Sequence, residues 1–160
     1  GAVALSHGRI VTILSAGNDA AKSFTVVGTD VNGAAQTESI TGANAGTATG
    51  TNYFLTIASI TAVGNPAGNV SAGVNASAAD VIFAGRSRLK GIYLTSTATA
   101  GTVDFLNTSP SGTSILGLSS VGDADATRDV VIPEEGVLFK TGIYVEYTVS
   151  TFLTMTVFHA

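Results

Sequence analysis

Along this chain apolar and polar residues alternate one by one, not every third or fourth position. In Phe24–Thr29, Phe24 and Val26 fall on one side; in Tyr53–Ile60, Tyr53, Leu55 and Ile57 share a face and Phe54 takes the other. The same period runs through Leu89–Thr95, where Leu89 and Tyr93 oppose Ile92 and Leu94. It recurs in Ile143–Val149, with Ile143, Val145, Tyr147 and Val149 together, and in Phe152–His159, with Leu153, Met155 and Val157 opposite Phe152 and Phe158. Successive side chains of a strand point to opposite faces, so the pattern predicts strands with one buried side. Shorter stretches at Ile10–Ser15, Gln36–Thr41, Val70–Val74, Gly101–Asn107, Ser114–Leu118 and Asp129–Ile132 predict further strands. No segment sustains the helical period. Only Ala76–Phe83, rich in alanine, offers a short helical turn.

Turn residues punctuate these runs at Gly17-Asn18-Asp19, Asn32-Gly33, Gly64-Asn65-Pro66, Ser109-Pro110-Ser111-Gly112 and Glu134-Glu135-Gly136. Asn32-Gly33 predicts a tight hairpin, because both residues tolerate positive φ. Thr41–Thr51 has no bulky side chain and predicts a long loop or an extended edge segment. The fold expected is all-β, an antiparallel β-sandwich or barrel-like architecture of about ten short strands. Residues 1–8 are expected as an N-terminal arm, 9–80 as an N-terminal β-domain and 81–160 as a C-terminal one, packed as one unit or two. The arm is apolar and small, and would add to a neighbour's sheet or lie in a groove, with Val3 and Leu5 as candidate interface residues; the competing view makes it the first strand of its own domain.

Composition narrows what such a fold does. Hydrophobic residues form 45% of the 160, enough for a core, whereas charged residues form only 11%. An ordinary soluble domain carries about 25%. The surface is therefore Ser, Thr, Asn, Gly and Ala, which can be covered by a neighbour at little desolvation cost, although a plain Thr-rich β-protein has the same composition. A net charge of −4 opposes a nucleic-acid partner, and the absence of cysteine removes thiol and thiolate chemistry. Apolar runs are too short to span a bilayer as helices, and no basic region followed by an apolar stretch marks a signal peptide.

Chemistry-bearing constellations are scarce. His7 and His159 lie at opposite ends; Ser6 and Ser15 are near His7, but no Gly-x-Ser-x-Gly elbow accompanies them. Asp123 and Asp125 have the spacing of a calcium loop without its central glycine and terminal glutamate, so Asp123–Asp129 is expected as a solvated loop. Adjacent Glu134 and Glu135 would point to opposite faces of a strand and read as a turn. No Gly-rich segment carries the Lys-Ser/Thr ending of a phosphate loop. The expectation is a non-enzymatic protein with no cofactor and no metal. Arg86, Arg88 and Lys90 would project from one face of a strand, either protecting an edge or docking onto carboxylates, those of Glu134 and Glu135 or a partner's.

Several phrases resemble tailed-bacteriophage virion proteins. They include Phe24-Thr25-Val26-Val27-Gly28-Thr29-Asp30 with Gly33, Gly42-Ala43-Asn44-Ala45-Gly46-Thr47, Phe83-Ala84-Gly85-Arg86-Ser87-Arg88-Leu89-Lys90 and Ile132-Pro133-Glu134-Glu135-Gly136. The resemblance covers most of the chain, is one of phrasing without an active-site motif, and points to capsid decoration (cement) proteins. It implies a virion location on the capsid exterior, contacts with the major capsid protein or other virion proteins, and a homo-oligomer, with a trimer favoured. The alternatives are a tail, collar or fibre-associated component, or a carbohydrate-binding β-sandwich module. The last normally stacks sugars on aromatic rings, and this chain has no Trp and four Tyr.

Overall fold

The computed structural model describes residues 2–160, and no helix occurs among them. The strands in order are β1 (Val3–Ser15), β2 (Ser23–Thr29), β3 (Ala35–Thr41), β4 (Thr47–Val63), β5 (Val70–Phe83), β6 (Ser87–Ser96), β7 (Gly101–Asn107), β8 (Thr113–Ser120), β9 (Thr127–Val131), β10 (Val137–Phe139), β11 (Ile143–Thr148) and β12 (Phe152–His159). The registered pairings are antiparallel. The chain divides between Asn75 and Ala76, inside β5, into two compact units.

In the first unit the strand order is β3-β2-β4-β1. β4 is long enough to serve both neighbours, pairing β1 through residues 47–57 on one side and β2 through 56–63 on the other. Val11 and Ile13 of β1, Phe24 and Val26 of β2, Ile40 of β3 and Phe54 of β4 form the core. Each such side chain contributes roughly 1.5–3 kcal/mol on burial. The segment expected as an arm is, over its described residues, the beginning of β1: Val3 pairs with Ile57 and Ala4 with Thr56 of the same chain. Gly1 lies outside the described residues.

Two local expectations change here. The β2–β3 turn is not a tight primed turn. Asp30 and Ala34 close it with a backbone hydrogen bond, and the Asp30 carboxylate accepts the N–H groups of Asn32 (2.8 Å) and Ala34 (2.9 Å). Only Gly33, at φ +81°, takes the left-handed region, while Asn32 does not. From Thr47 onward, the Thr-rich segment is strand: Thr47, Ala48 and Thr49 pair with Leu14, Ile13 and Thr12. Its small residues have a packing reason. Glu38 Oε2 lies 2.6 Å from where a Cβ on Gly50 would sit, and Glu38 Oε1 accepts the Thr51 N–H at 2.6 Å.

The second unit is a β-sandwich without barrel closure. One sheet runs β5-β11-β7-β8; the other has β6 between β12 and β10, with β9 also on β6. Val103, Phe105, Ile143 and Val145 of the first sheet meet Leu89, Ile92, Leu94 and Phe139 of the second in one cluster. Ala76–Phe83, weighed as a helical turn, is the latter half of β5. Ala78 and Ala79 are both fully buried and pair with Tyr147 and Glu146. In β6 the simple alternation breaks, because Gly91 pairs with Phe158 and Leu89 with His159, leaving Lys90 as an extra residue. This bulge turns Leu89 to the same side as Ile92 and Leu94, and leaves Tyr93 facing out.

Candidate functional site

The three cations do not act as one row. Arg86 is exposed just before β6, while Arg88 and Lys90 are half-buried on the strand. Because β10 pairs with β6 as Leu138 opposite Arg88, the turn leading into β10 is carried beside them. Arg88 Nη1 donates to the Glu135 carbonyl (3.2 Å) and the Gly136 carbonyl (3.4 Å), and Lys90 Nζ donates to the Glu134 carbonyl (2.9 Å). The turn is tight, with Glu134 at φ +55° and Gly136 at φ +74°, and its three successive carbonyls accept from these two side chains. Arg88 Nε also lies 3.6 Å from Glu135 Oε2, but the Glu135 side chain is 82% exposed, and such a pair contributes only about 0–1 kcal/mol. Toward Glu134 and Glu135 the contact is thus largely carbonyl capping, with one exposed ion pair. Nor do these cations guard an edge: β6 has neighbours on both sides. Val3 and Leu5 belong to the first unit, where Val3 is exposed and Leu5 half-buried on β1.

His159 does meet a serine. Its Nδ1 is 3.2 Å from Ser87 Oγ, and its ring lies 5.2 Å from that of Phe83. The buried Ser87 hydroxyl also lies 3.0 Å from the Ala160 carbonyl, to which it donates. Arg88 and Ala160 exchange backbone hydrogen bonds of 2.8 and 3.0 Å. The group staples the end of β12 to the start of β6. His7 sits half-buried on β1, and Ser15 is buried. Asp125, at φ +59°, donates its N–H to the Ser96 carbonyl, and among the described residues no group of three metal-ligating side chains converges.

Two features had no signal in the chain taken alone. Ser77, Thr102, Asp104, Glu146, Tyr147 and Thr148 line a polar groove, in which Asp104 stands directly opposite Glu146. Ser114 donates to Asp104 Oδ1 at 2.8 Å, and the Tyr147 hydroxyl donates to Asp80 Oδ2 at 2.9 Å. The other feature is the outer face of the second sheet. Phe158 (53% exposed) and Val131 (77% exposed) both pair with Gly91, one on each side, and Tyr93 is diagonal to them. Glycine between two large apolar residues lets Phe158 lie across the strand: a Cβ on Gly91 would fall 3.5 Å from its ring. The result is an exposed apolar strip that leads to β12, whose Leu153 is 58% exposed. Compared with known protein families, with characterised proteins and with solved structures, the chain matches none.

Proposed function

We propose that this chain is a non-enzymatic structural protein that works by packing against other protein surfaces, and most specifically a decoration protein on the exterior of a tailed-phage capsid. The observation that carries this reading is the strip of Phe158, Val131 and Tyr93 standing exposed together on the outer face of one sheet. Exposed apolar patches of this kind mark interaction sites on soluble proteins. The chain as a whole is poor in charge, with 11% of its residues charged, although Asp129 stands opposite Tyr93 at the side of the strip. Each contact is modest, yet repetition over a shell multiplies it. The partners are copies of this chain and the major capsid protein. A tail, collar or fibre position is the same mechanism on another virion part.

Co-sedimentation with emptied phage capsids tests the reading. Saturable binding that is lost with Phe158→Ser and Val131→Ser together supports it; a folded protein that stays in the supernatant overturns the capsid assignment. One observation favours a second reading. Tyr93 and Phe158 are neighbouring exposed aromatics on a sheet face, the arrangement on which a carbohydrate-binding module stacks sugar rings. A glycan array with wild type and Tyr93→Ala decides it: a specific glycan lost with the ring would move that reading to the front.

A further inference from the structure

We propose that β12 is a docking strand that pairs antiparallel with β12 of a second copy of this chain, about a two-fold axis at Thr156. The proposal stands apart from the virion reading and holds whether or not capsids are bound.

An edge strand presents a row of unpaired N–H and C=O groups, and proteins that stay apart blunt such edges with charge, proline or shortness. The edges here differ in this respect. β3 carries Glu38, β9 carries Arg128 and Asp129, and β10 is only three residues long. β12 runs for eight residues without Lys, Arg, Asp, Glu or Pro, and among the described residues it pairs only with β6. β8 is also uncharged, but a glycine interrupts it at Gly117. The edge of β12 is flanked by the exposed Leu153 and Phe158, so its pairing also covers apolar surface.

The side-chain pattern chooses the register. Between the bulges at Phe152/Thr154 and Phe158/His159, β12 is regular. Thr154, Thr156 and Phe158 face out, and Met155 and Val157 face the core. A two-fold axis perpendicular to the sheet keeps the faces matched. Centred on Thr156, it sets Thr156 against Thr156, Met155 against Val157 and Thr154 against Phe158, and every pair agrees in face. Centred on Met155, the outward Phe158 would meet the inward Phe152; centred on Val157, the inward Met155 would meet the exposed His159. No like charges are opposed, and a threonine pair lies on the axis, a favourable cross-strand combination. A second copy of this strand thus meets the edge with matched faces and no opposed charges.

The chain has no cysteine, so single-cysteine variants read the contact directly. Directly opposed residues of an antiparallel pair have Cα atoms about 4.5–5.5 Å apart, inside the window a disulfide needs. Thr156→Cys is expected to form a disulfide dimer under mild oxidation at least tenfold faster than Thr154→Cys, which faces Phe158, or Ser119→Cys on β8. Thr156→Lys, exposed and outward, should retain the β-sheet circular dichroism and weaken self-association at least tenfold by light scattering. A wild-type mass of one chain up to roughly 100 μM, a hundredfold above a micromolar Kd, would overturn the proposal. So would a three-chain mass, or cross-linking of Thr154→Cys or Ser119→Cys as fast as Thr156→Cys. A monomer that still co-sediments with capsids would end this inference and leave the virion reading standing.

Discussion

Gly28→Ala probes the join at which β4 passes from one neighbour to the next. At that point the β2–β4 ladder shifts register between Val27 and Gly28. A Cβ on residue 28 would lie 1.9 Å from the Thr56 carbonyl oxygen and 3.1 Å from the Phe54 ring. Ordinary contact begins at 3.4 Å, so the strands must part by about 1.5 Å. Hydrogen bonds near 2.9 Å do not survive that stretch. Losing roughly two of them costs about 0.5–1.5 kcal/mol each, and forcing Phe54 aside adds about 1–3 kcal/mol. The alanine returns about 0.4–1 kcal/mol through a less flexible unfolded chain. The expected net loss is about 1–5 kcal/mol, read as a fall in the urea midpoint followed by circular dichroism. Gly46→Ala is the control. Its nearest neighbour atom is 3.7 Å away, so it should be neutral or gain up to about 1 kcal/mol. If Gly28→Ala unfolds within about 0.5 kcal/mol of wild type, the register assigned to β2 and β4 is wrong.

Phe105→Ala, in the centre of the sandwich core, should cost about 3–5 kcal/mol in the same urea titration. Arg88→Ala should cost about 1–2 kcal/mol by uncapping the carbonyls at 135 and 136, while Glu135→Ala should cost under about 1 kcal/mol; equal losses would mean that the ion pair, not the capping, matters. Asp104→Asn keeps an acceptor for Ser114 and removes a like charge opposite Glu146. It should stabilise by about 0.2–1 kcal/mol at low ionic strength, with the gain shrinking in roughly 1 M salt.

Strand positions were legible where one face is buried, because burial imposes the two-residue alternation on the residues themselves. Phe24–Thr29 is of this kind; in Phe152–His159 the expected faces hold only from Met155 to Phe158, because the bulge at Phe152/Thr154 turns Phe152 to the core and leaves Leu153 exposed. The pattern fails where burial is two-sided or absent. Ala78 and Ala79 are both buried, so the latter half of β5 has no polar face to betray it. The start of β4 has neither bulk nor alternation, and becomes strand because β1 and Glu38 bind it. A bulge is likewise silent in one chain: Leu89 joins Ile92 inside only because β12 pairs with an offset. The candidate surfaces depend on that same tertiary register. Arg88 and Lys90 could be picked out as a charged cluster, but the carbonyls that take them lie over 40 residues away. Phe158, Val131 and Tyr93 become neighbours only once β9 and β12 flank β6.

The staple between Ser87 and Ala160 joins residues 73 positions apart, which bears on how the protein is made. At synthesis rates of about 5–20 residues per second, β6 emerges roughly 4–15 s before the last residue that it binds. During that interval Leu89, Ile92 and Leu94 have no sheet partner from β9, β10 or β12, all of which are still to come. The first unit waits far less, since all of it, including Val70 of β5, has been made by Asn75. Nascent chains should therefore acquire protease resistance in two stages, with the second unit held open and dependent on chaperones until β12 is free to close its sheet.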